Sequence, residues 1–202
     1  MGIAERRERQ KAELRADILT AAKQILIESG FEGLTMRRIA EAIEYSPATI
    51  YLHFESREAI ALQLVKDGFD ELMHFLAPTL AIADPLERLR AVGDGYVRFG
   101  IERPQTYRLI FMTDRKLSAV IEEFFVNDDD PGARAFEALL TTVTELIDKG
   151  IFRRLDPEIA ANCCWSALHG IVSLHLTCEA MLTDVWATTA AMHDALVVGL
   201  RA

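Results

Sequence analysis

The sequence predicts an all-α protein with two domains, and three observations support that prediction. Half of the 202 residues are hydrophobic, which is ample for a buried core. Apolar residues recur at spacings of three and four over long stretches, the period of a helix with one buried face. Alternating runs rich in Val, Thr and Ile, which would indicate strands, are absent. We expect one domain over residues 1–57 and a second over residues 58–202.

The first helix is expected from about Arg7 to Ser29. Gly30 ends it because glycine is the residue that most readily adopts the left-handed conformation of a helix cap. Phe31 follows as a plug of the core. The inner face of this helix is expected to carry Leu14, Ile18, Ala22, Ile25 and Leu26.

Two short helices follow between residues 34 and 54. Thr35 precedes an apolar run whose spacing places Met36, Ile39, Ala40 and Ile43 on one helix face. Ser46-Pro47 opens a second helix, because Ser caps free N–H groups and Pro at the first helical position loses no hydrogen bond. Ile50 and Phe54 anchor that helix. Two such helices joined by a tight turn form a helix-turn-helix, whose second helix fits the major groove of DNA.

Caps and breakers place the remaining helices. Ser56 caps a helix that Pro78 ends, and Asp84-Pro85 opens another that Arg103-Pro104 interrupts before a short aromatic-rich helix. Further helices are expected from Lys116 to Val126, from about Ala133 to Lys149, from Asp156-Pro157 to about Cys178, and from Thr183 or Asp184 onwards.

The net charge of −9 is distributed unevenly along the chain. Residues 1–57 carry nine Lys/Arg and nine Asp/Glu, which leaves 13 basic and 22 acidic residues for positions 58–202. The first domain is therefore neutral, with a basic amino end. A neutral domain with a basic edge can bind phosphate locally, so the overall acidity does not exclude a nucleic-acid partner.

The segment from Ile18 to Leu64 resembles the DNA-binding domain of the tetracycline-repressor (TetR) family of transcriptional regulators. The core of the resemblance is the Ser-Pro-x-Thr-x-Tyr-x-His-Phe run from Ser46 to Phe54. Glu44 and Ala48 depart from the family's glycines, and Arg57 replaces its usual Lys. A residue with a Cβ at position 44 costs a left-handed turn roughly 1 kcal/mol. Other matching residues are Ile18, Ala21, Ala22, Gly30, Phe31, Thr35, Ile39, Ala40 and Leu62.

The resemblance implies a homodimer that binds a palindromic operator in double-stranded DNA. Phosphate contacts are expected from Thr35, Tyr51, His53 and Arg57, through the hydroxyl and free N–H groups of a helix start and through polar side chains. Small or apolar groups at the helix tip suit a thymine methyl. Bases would be read by Ser46, Pro47, Ala48 and Thr49, with Arg37 or Tyr45.

Aromatic and Met residues concentrate in the second domain, as in a cavity for a small apolar or aromatic effector. Each of these residues is equally consistent with plain core packing. The expected pocket residues are Phe69, Met73, Tyr96, Phe99, Tyr107, Phe111, Met112, Trp165 and His169. The helix that begins at Ser56 would transmit effector binding to the first domain.

The last two helices are expected to form a four-helix bundle with a second copy of the chain, because the first of them is apolar on most sides. Trp165, His169 and Gly170 are similar to the Trp–His–Gly signature of one C-terminal subtype of the family. The expected interface residues are Leu168, Gly170, Ile171, Leu174, Trp186, His193, Leu196, Val197 and Leu200.

Other classes of protein are disfavoured. Motifs of hydrolases, metalloproteases and phosphate-binding loops are absent, so we expect no enzyme, cofactor or metal. The three adjacent acids at 128–130, in the loop that begins at Asn127, lack the spacing of a calcium loop. Three cysteines without a CxxC suit the cytoplasm, and no uninterrupted apolar run approaches a membrane span. The regulator is expected to be a repressor, with activation left open; the alternative is a helical protein-interaction module without a DNA role.

Overall fold

The computed structural model describes residues 2–113, 115–124, 131–178 and 184–202. Over these residues the fold is helical, which confirms the predicted class. The α-helices are α1 (Ile3–Gly33), α2 (Met36–Ala42), α3 (Pro47–Tyr51), α4 (Arg57–Leu76), α5 (Pro85–Glu102), α6 (Pro104–Phe111), α7 (Arg115–Phe124), α8 (Pro131–Asp148), α9 (Pro157–Thr177) and α10 (Val185–Leu200), and a 3-10 helix spans Ala77–Ala81.

The helix starts follow the predicted caps. Asp84 accepts hydrogen bonds from the amides of Leu86 and Glu87, and Asp156 and Asp184 cap α9 and α10 in the same way. Each carboxylate satisfies amides that would otherwise lack a partner in the first turn. The positions at which these helices begin are therefore determined by residues next to their first turn.

The first helix begins earlier than expected and is interrupted where expected. It starts at Ile3, and its backbone leaves helical geometry at Gly30, where φ is 64°. A positive φ of this kind is accessible to glycine without the clash that a Cβ would cause. Phe31 then turns into the core, where its side chain is buried.

By contacts the chain groups into two compact units. One is Met1–Gly68 with Arg108–Asp128, and the other is Phe69–Tyr107 with Asp129–Ala202. The boundaries between the units fall inside α4 and α6. The described residues between 108 and 124 therefore group with the amino-terminal unit, although the functional division at residue 57 stays a prediction.

The second unit is built on α5, which packs against α8 and α9, while α9 packs against α8 and α10. Gly100 on α5 lies directly against Val172 of α9, where a larger residue would not fit. The carboxyl end is pinned to the loop after α8, because the amide of Arg153 donates to the carbonyl of Leu200 over 2.8 Å. The main cluster contains Leu89, Leu139, Val143, Leu146, Phe152, Ala160, Ala161, Cys164 and Leu200.

Within the described residues, α9 is long and apolar enough to cross a membrane on length and composition alone, and 33% of its most apolar window is buried. A single helix of this kind is weak support for a membrane span, since core helices of globular proteins share these properties.

Candidate DNA-binding and effector sites

The α2–α3 segment has the local geometry of a helix-turn-helix. Thr35 caps α2, its hydroxyl oxygen accepting from the amide of Arg38 at 3.1 Å. Ser46 caps α3 by accepting from the amide of Thr49 at 3.3 Å. Between the two helices Glu44 adopts φ 58°, the left-handed one of the two alternatives, a left-handed or an otherwise adjusted turn, that the sequence left open. The structure thus accepts about 1 kcal/mol of backbone strain to keep the turn tight.

The α3 tip is exposed while its other face is anchored. Ile50 and Phe54 are buried. Tyr45 is 51% exposed and Tyr51 57% exposed, and Leu52 is exposed as well. Ser46, Pro47 and Ala48 are also exposed, whereas Thr49 is half-buried. Most of the residues predicted to read bases are therefore accessible, at the start of one short helix and in the turn before it.

The two arginines of α2 have different surroundings. Arg37 is exposed and forms an ion pair with Glu41 at 2.7 Å, and this hydrogen bond raises the pKa of its guanidinium. Arg38 turns back to α1, donating to the carbonyl of Gly33 at 2.9 Å and to the hydroxyl of Ser29 at 3.2 Å. Arg37 keeps the predicted exposure, while Arg38 fixes the end of α1.

Arg57 is anchored to the start of the helix-turn-helix. Its guanidinium lies 4.6 Å from the centre of the Phe31 ring and donates to the carbonyls of Phe31 and Leu34 at 3.4 and 3.3 Å. It also pairs with Glu58 at 2.9 Å. Contacts on several sides hold this cation beside the chain that leads into Thr35.

His53 lies in a basic environment that includes a residue of the basic amino end, which was not among the predicted DNA contacts. Arg15 of α1 donates to the His53 carbonyl at 3.2 Å, and its guanidinium lies 4.0 Å from the centre of the Phe54 ring. Burial, Lys11 and Arg15 together lower the pKa of His53. Its Nδ1 is buried without a hydrogen-bond partner. The basic amino end of the chain is the signal that could have indicated Arg15.

Five predicted pocket residues meet in the second unit, four of them through hydrogen bonds. The hydroxyls of Tyr96 and Tyr107 are 2.9 Å apart, and the Tyr107 hydroxyl lies 2.7 Å from His169 Nδ1. Trp165 donates to the Tyr96 hydroxyl at 3.0 Å. Phe99 packs beside Tyr107, with ring centres 6.2 Å apart. We call Tyr96, Tyr107, Trp165 and His169 the aromatic cluster.

The aromatic cluster is uncharged near neutral pH. Burial raises the pKa of Tyr96 to about 12 and also raises that of Tyr107, while burial lowers the pKa of His169. On the surface beside the cluster, α9 forms a groove of about 370 Å³. The groove is lined by Trp165, Ser166, His169, Gly170, Ser173 and Leu174. This arrangement suits a neutral ligand that is largely apolar and makes a few hydrogen bonds.

The other predicted pocket residues are distributed differently. Phe69 and Met73 are half-buried on α4. Phe111 and Met112 belong to the amino-terminal contact unit, where Met112 lines a separate cavity. Phe75, which the sequence analysis missed, packs edge-on against Phe99 with ring centres 5.6 Å apart. Its only signal in the sequence is an aromatic side chain three residues after Leu72.

The residues predicted to form the dimer interface differ in how far they are buried within the subunit. Leu168, Ile171, His193 and Leu200 are buried inside the second unit, so these four side chains belong to the subunit's own core and cannot form the surface expected of them. Leu174 and Trp186 are 48% and 44% exposed. Gly170 has open space where a side chain would be, and Leu196 and Val197 are half-buried.

The described residues contain no group of three His, Cys, Asp or Glu side chains arranged to hold a metal. The acidic run at 128–130, considered as a calcium loop and disfavoured, lies outside the described residues.

Comparison with known proteins identifies both halves of the chain. Residues 18–64 match the family described as bacterial regulatory proteins, tetR family, and residues 89–197 match the tetracyclin repressor-like C-terminal domain. The second match covers more than half of the chain. The Trp–His–Gly subtype stays a prediction, because the matching description does not name it.

Curated relatives include both an activator and a repressor. The transcriptional activator FasR of Mycolicibacterium smegmatis is 30% identical over 103 residues, 50% of this chain and 47% of FasR. The repressor DhaR of Mycobacterium sp. strain GP1 is 30% identical over 79 residues, 38% of this chain and 40% of DhaR. The chain thus matches less than half the length of either relative.

Solved structures support the fold over nearly the whole chain. The regulator FadR of Bacillus subtilis, solved in complex with stearoyl-CoA, superposes with a TM-score of 0.73. The superposition covers 92% of this chain and 99% of FadR at 19% identity, so it speaks to the fold alone. Proteins of this family are transcriptional regulators and not enzymes. The helix-turn-helix, the C-terminal domain and the helical fold together show that this chain belongs to the TetR family of transcriptional regulators.

Proposed function

We propose that the chain is a repressor that binds a palindromic operator as a homodimer and releases it when a small apolar or aromatic effector binds. The single observation that supports DNA binding is the exposed amino-terminal end of α3. It lies in a helix-turn-helix in which Thr35 caps α2 and Ser46 caps α3. Thr35, Tyr51, His53 and Arg57 contact phosphates, and the residues from Tyr45 to Thr49, with Arg37, contact bases. One helix of this length reads few base pairs, so two copies are needed for useful specificity.

Selection from random duplex DNA tests operator binding. Wild-type protein is expected to enrich one palindrome, and Tyr51→Ala to lose it. Tyr51→Phe is the matched control that keeps the ring and removes the hydroxyl, so it separates a phosphate contact from packing. Binding should weaken steeply with salt, because phosphate contacts release counterions. Enrichment of the same sequence by Tyr51→Ala would refute the proposed contact.

The homodimer is supported by apolar surface left open on the last two helices. Leu174 of α9 and Trp186 of α10 are about half exposed, and Val198 of α10 is 72% exposed. An added Cβ at Gly170 would meet nothing within 4 Å inside the subunit. We propose that Gly170, Leu174 and Trp186 contact the partner, with Leu196 and Val197 at the edge of the interface.

Analytical ultracentrifugation of Leu174→Glu tests the dimer, because a carboxylate buried in an apolar interface is strongly unfavourable. Leu80→Glu, on the 3-10 helix and 38% exposed, is the matched control. Leu174→Glu should sediment as a monomer and lose operator affinity, while Leu80→Glu stays dimeric. A dimeric Leu174→Glu would exclude this face as the interface.

The effector is proposed to bind at the aromatic cluster and at the part of the α9 groove formed by Trp165, Ser166 and His169, beside the Gly170 and Leu174 surface proposed for the partner. The uncharged cluster favours an apolar or aromatic molecule with one hydrogen-bonding group. The complex of FadR with stearoyl-CoA makes long-chain acyl thioesters a second class for the screen. We propose that α4, which has residues in both contact units, transmits the effect.

Linked titrations decide whether the effector controls DNA binding. Effector affinity measured with and without operator must change by the same factor as operator affinity measured with and without effector. His169→Leu should weaken effector binding and leave the operator affinity of the effector-free protein unchanged. Independent binding of the two ligands would refute the mechanism.

Repression and a cytoplasmic location complete the proposal. In transcription reactions the protein should lower the yield of a promoter that overlaps the selected operator, and effector should restore it. An increase in transcript would instead identify an activator, as FasR is. Cell fractionation should place the protein with the cytoplasmic contents.

A further inference from the structure

We propose that the amino-terminal contact unit carries a second ligand site, separate from the aromatic cluster, which takes a small amphipathic carboxylate. A cavity of about 300 Å³ lies between α1 and the α6–α7 segment. This volume is at the lower end of the range, roughly 300–1,000 Å³, that holds small molecules. All of its lining residues belong to that one unit.

The cavity combines apolar walls with one basic lining residue. Leu26 and Phe31 of α1, together with Leu109 and Leu117, are buried apolar side chains that line it. Arg108 also lines the cavity and is exposed. Apolar walls together with an exposed arginine among the lining residues match a short apolar body that ends in a carboxylate, since arginine favours planar anionic groups.

The cavity is in direct contact with the elements that set the helix-turn-helix. Gly30, at the left-handed break in α1, and Phe31 both line it. The Phe31 ring carries the Arg57 guanidinium at 4.6 Å, and Arg57 also donates to the Leu34 carbonyl at 3.3 Å. A molecule packed against Phe31 is therefore expected to shift Arg57, and with it the chain that enters α2.

Octanoate and its uncharged analogue octanamide are the probes. Calorimetry should show octanoate binding to the wild type more tightly than octanamide, while Met112→Trp, which fills the cavity, binds neither. Ile27→Trp fills the same cavity from α1 and provides a second test should either variant misfold, which circular dichroism monitors. Undiminished octanoate binding in a folded filled variant, or no binding to the wild type, overturns the site.

Removal of the cation tests the role assigned to Arg108. Arg108→Gln should weaken the binding of octanoate about tenfold, equivalent to about 1.4 kcal/mol, and leave the binding of octanamide unchanged. Arg98→Gln, an exposed arginine on α5, is the matched control and should change neither. Equal losses for both probes, or equal losses in both variants, would refute a carboxylate contact at Arg108.

The effect on DNA rests on the proposed operator binding, whereas the site itself does not. Octanoate should change operator affinity several-fold in the wild type and leave it unchanged in Met112→Trp. Calorimetry without DNA reports on the cavity alone, so failure of operator binding and failure of the cavity site give different results. Methyl NMR shifts should concentrate at Met112 and Ile27; shifts confined to the aromatic cluster would overturn the assignment.

Discussion

Gly100 is where α5 approaches α9 most closely, and Gly100→Ala should destabilise the protein. An added Cβ would overlap Cγ1 of Val172 and lie 3.1 Å from both Cγ2 of Val172 and Cδ2 of Tyr107. Both neighbours are fully buried. Rotating the valine to relieve the overlap is costly, because a β-branched side chain in a helix has one strongly preferred χ1 rotamer.

The magnitude follows from two opposing terms. Overpacking in a rigid core costs typically 1–3 kcal/mol, and three close contacts place this site at about the upper value. Alanine in place of glycine within a helix returns about 1 kcal/mol. The net loss is about 2 kcal/mol, which lowers the melting temperature by roughly 4–8 °C for a chain of this size.

Thermal and urea unfolding monitored by circular dichroism measure this change. Gly199→Ala, near the end of α10 with nothing within 4 Å of an added Cβ, is the matched control and should leave the protein as stable or more so. Val172→Ala removes both γ-methyls, including the one that overlaps, so the double variant with Gly100→Ala should lose less stability than the two single variants added together. A melting temperature for Gly100→Ala at or above that of the wild type would refute the packing of α5 on α9.

Thr35→Ala should cost about 1 kcal/mol in urea unfolding, because the hydroxyl caps α2, and a loss of operator affinity beyond this would mark the phosphate contact. Acidification below pH 6.5 should destabilise the fold. Burial lowers the pKa of His169 and of His193, so the unfolded chain binds protons first; a melting temperature independent of pH there would contradict this. Iodoacetamide should modify exposed Cys163 before Cys164, which is buried and has its pKa raised to about 11, as peptide mass spectrometry would show.

The local part of the fold could be predicted from the sequence because it depends on neighbouring residues. A cap such as Asp84 or Asp156 satisfies amides two and three residues away, and the left-handed turn at Glu44 follows from the short gap between two helices. These interactions join residues that are only a few positions apart in the sequence. Periodicity and cap chemistry therefore identify them without knowledge of the tertiary fold.

The candidate sites depend on contacts between distant residues and were predicted only in outline. Arg15 contacts His53 across 38 positions, and Tyr96 meets His169 across 73. Composition indicated an aromatic pocket, but it could not show that Met112 lies in the other contact unit. Likewise the apolar pattern of α9 did not show that Leu168 packs inside the subunit.

Consecutive residues of α6 contribute to both candidate ligand sites. Tyr107 bonds to His169 in the aromatic cluster, and Arg108 and Leu109 line the α1–α6 cavity. These residues are consecutive in one helix, so a ligand that shifts the backbone of Tyr107 also shifts that of Arg108. The two proposed ligands are therefore expected to alter each other's affinity by equal factors, even though they share no contact. A regulator of this design would respond to an apolar effector and to an amphipathic acid through the same helix.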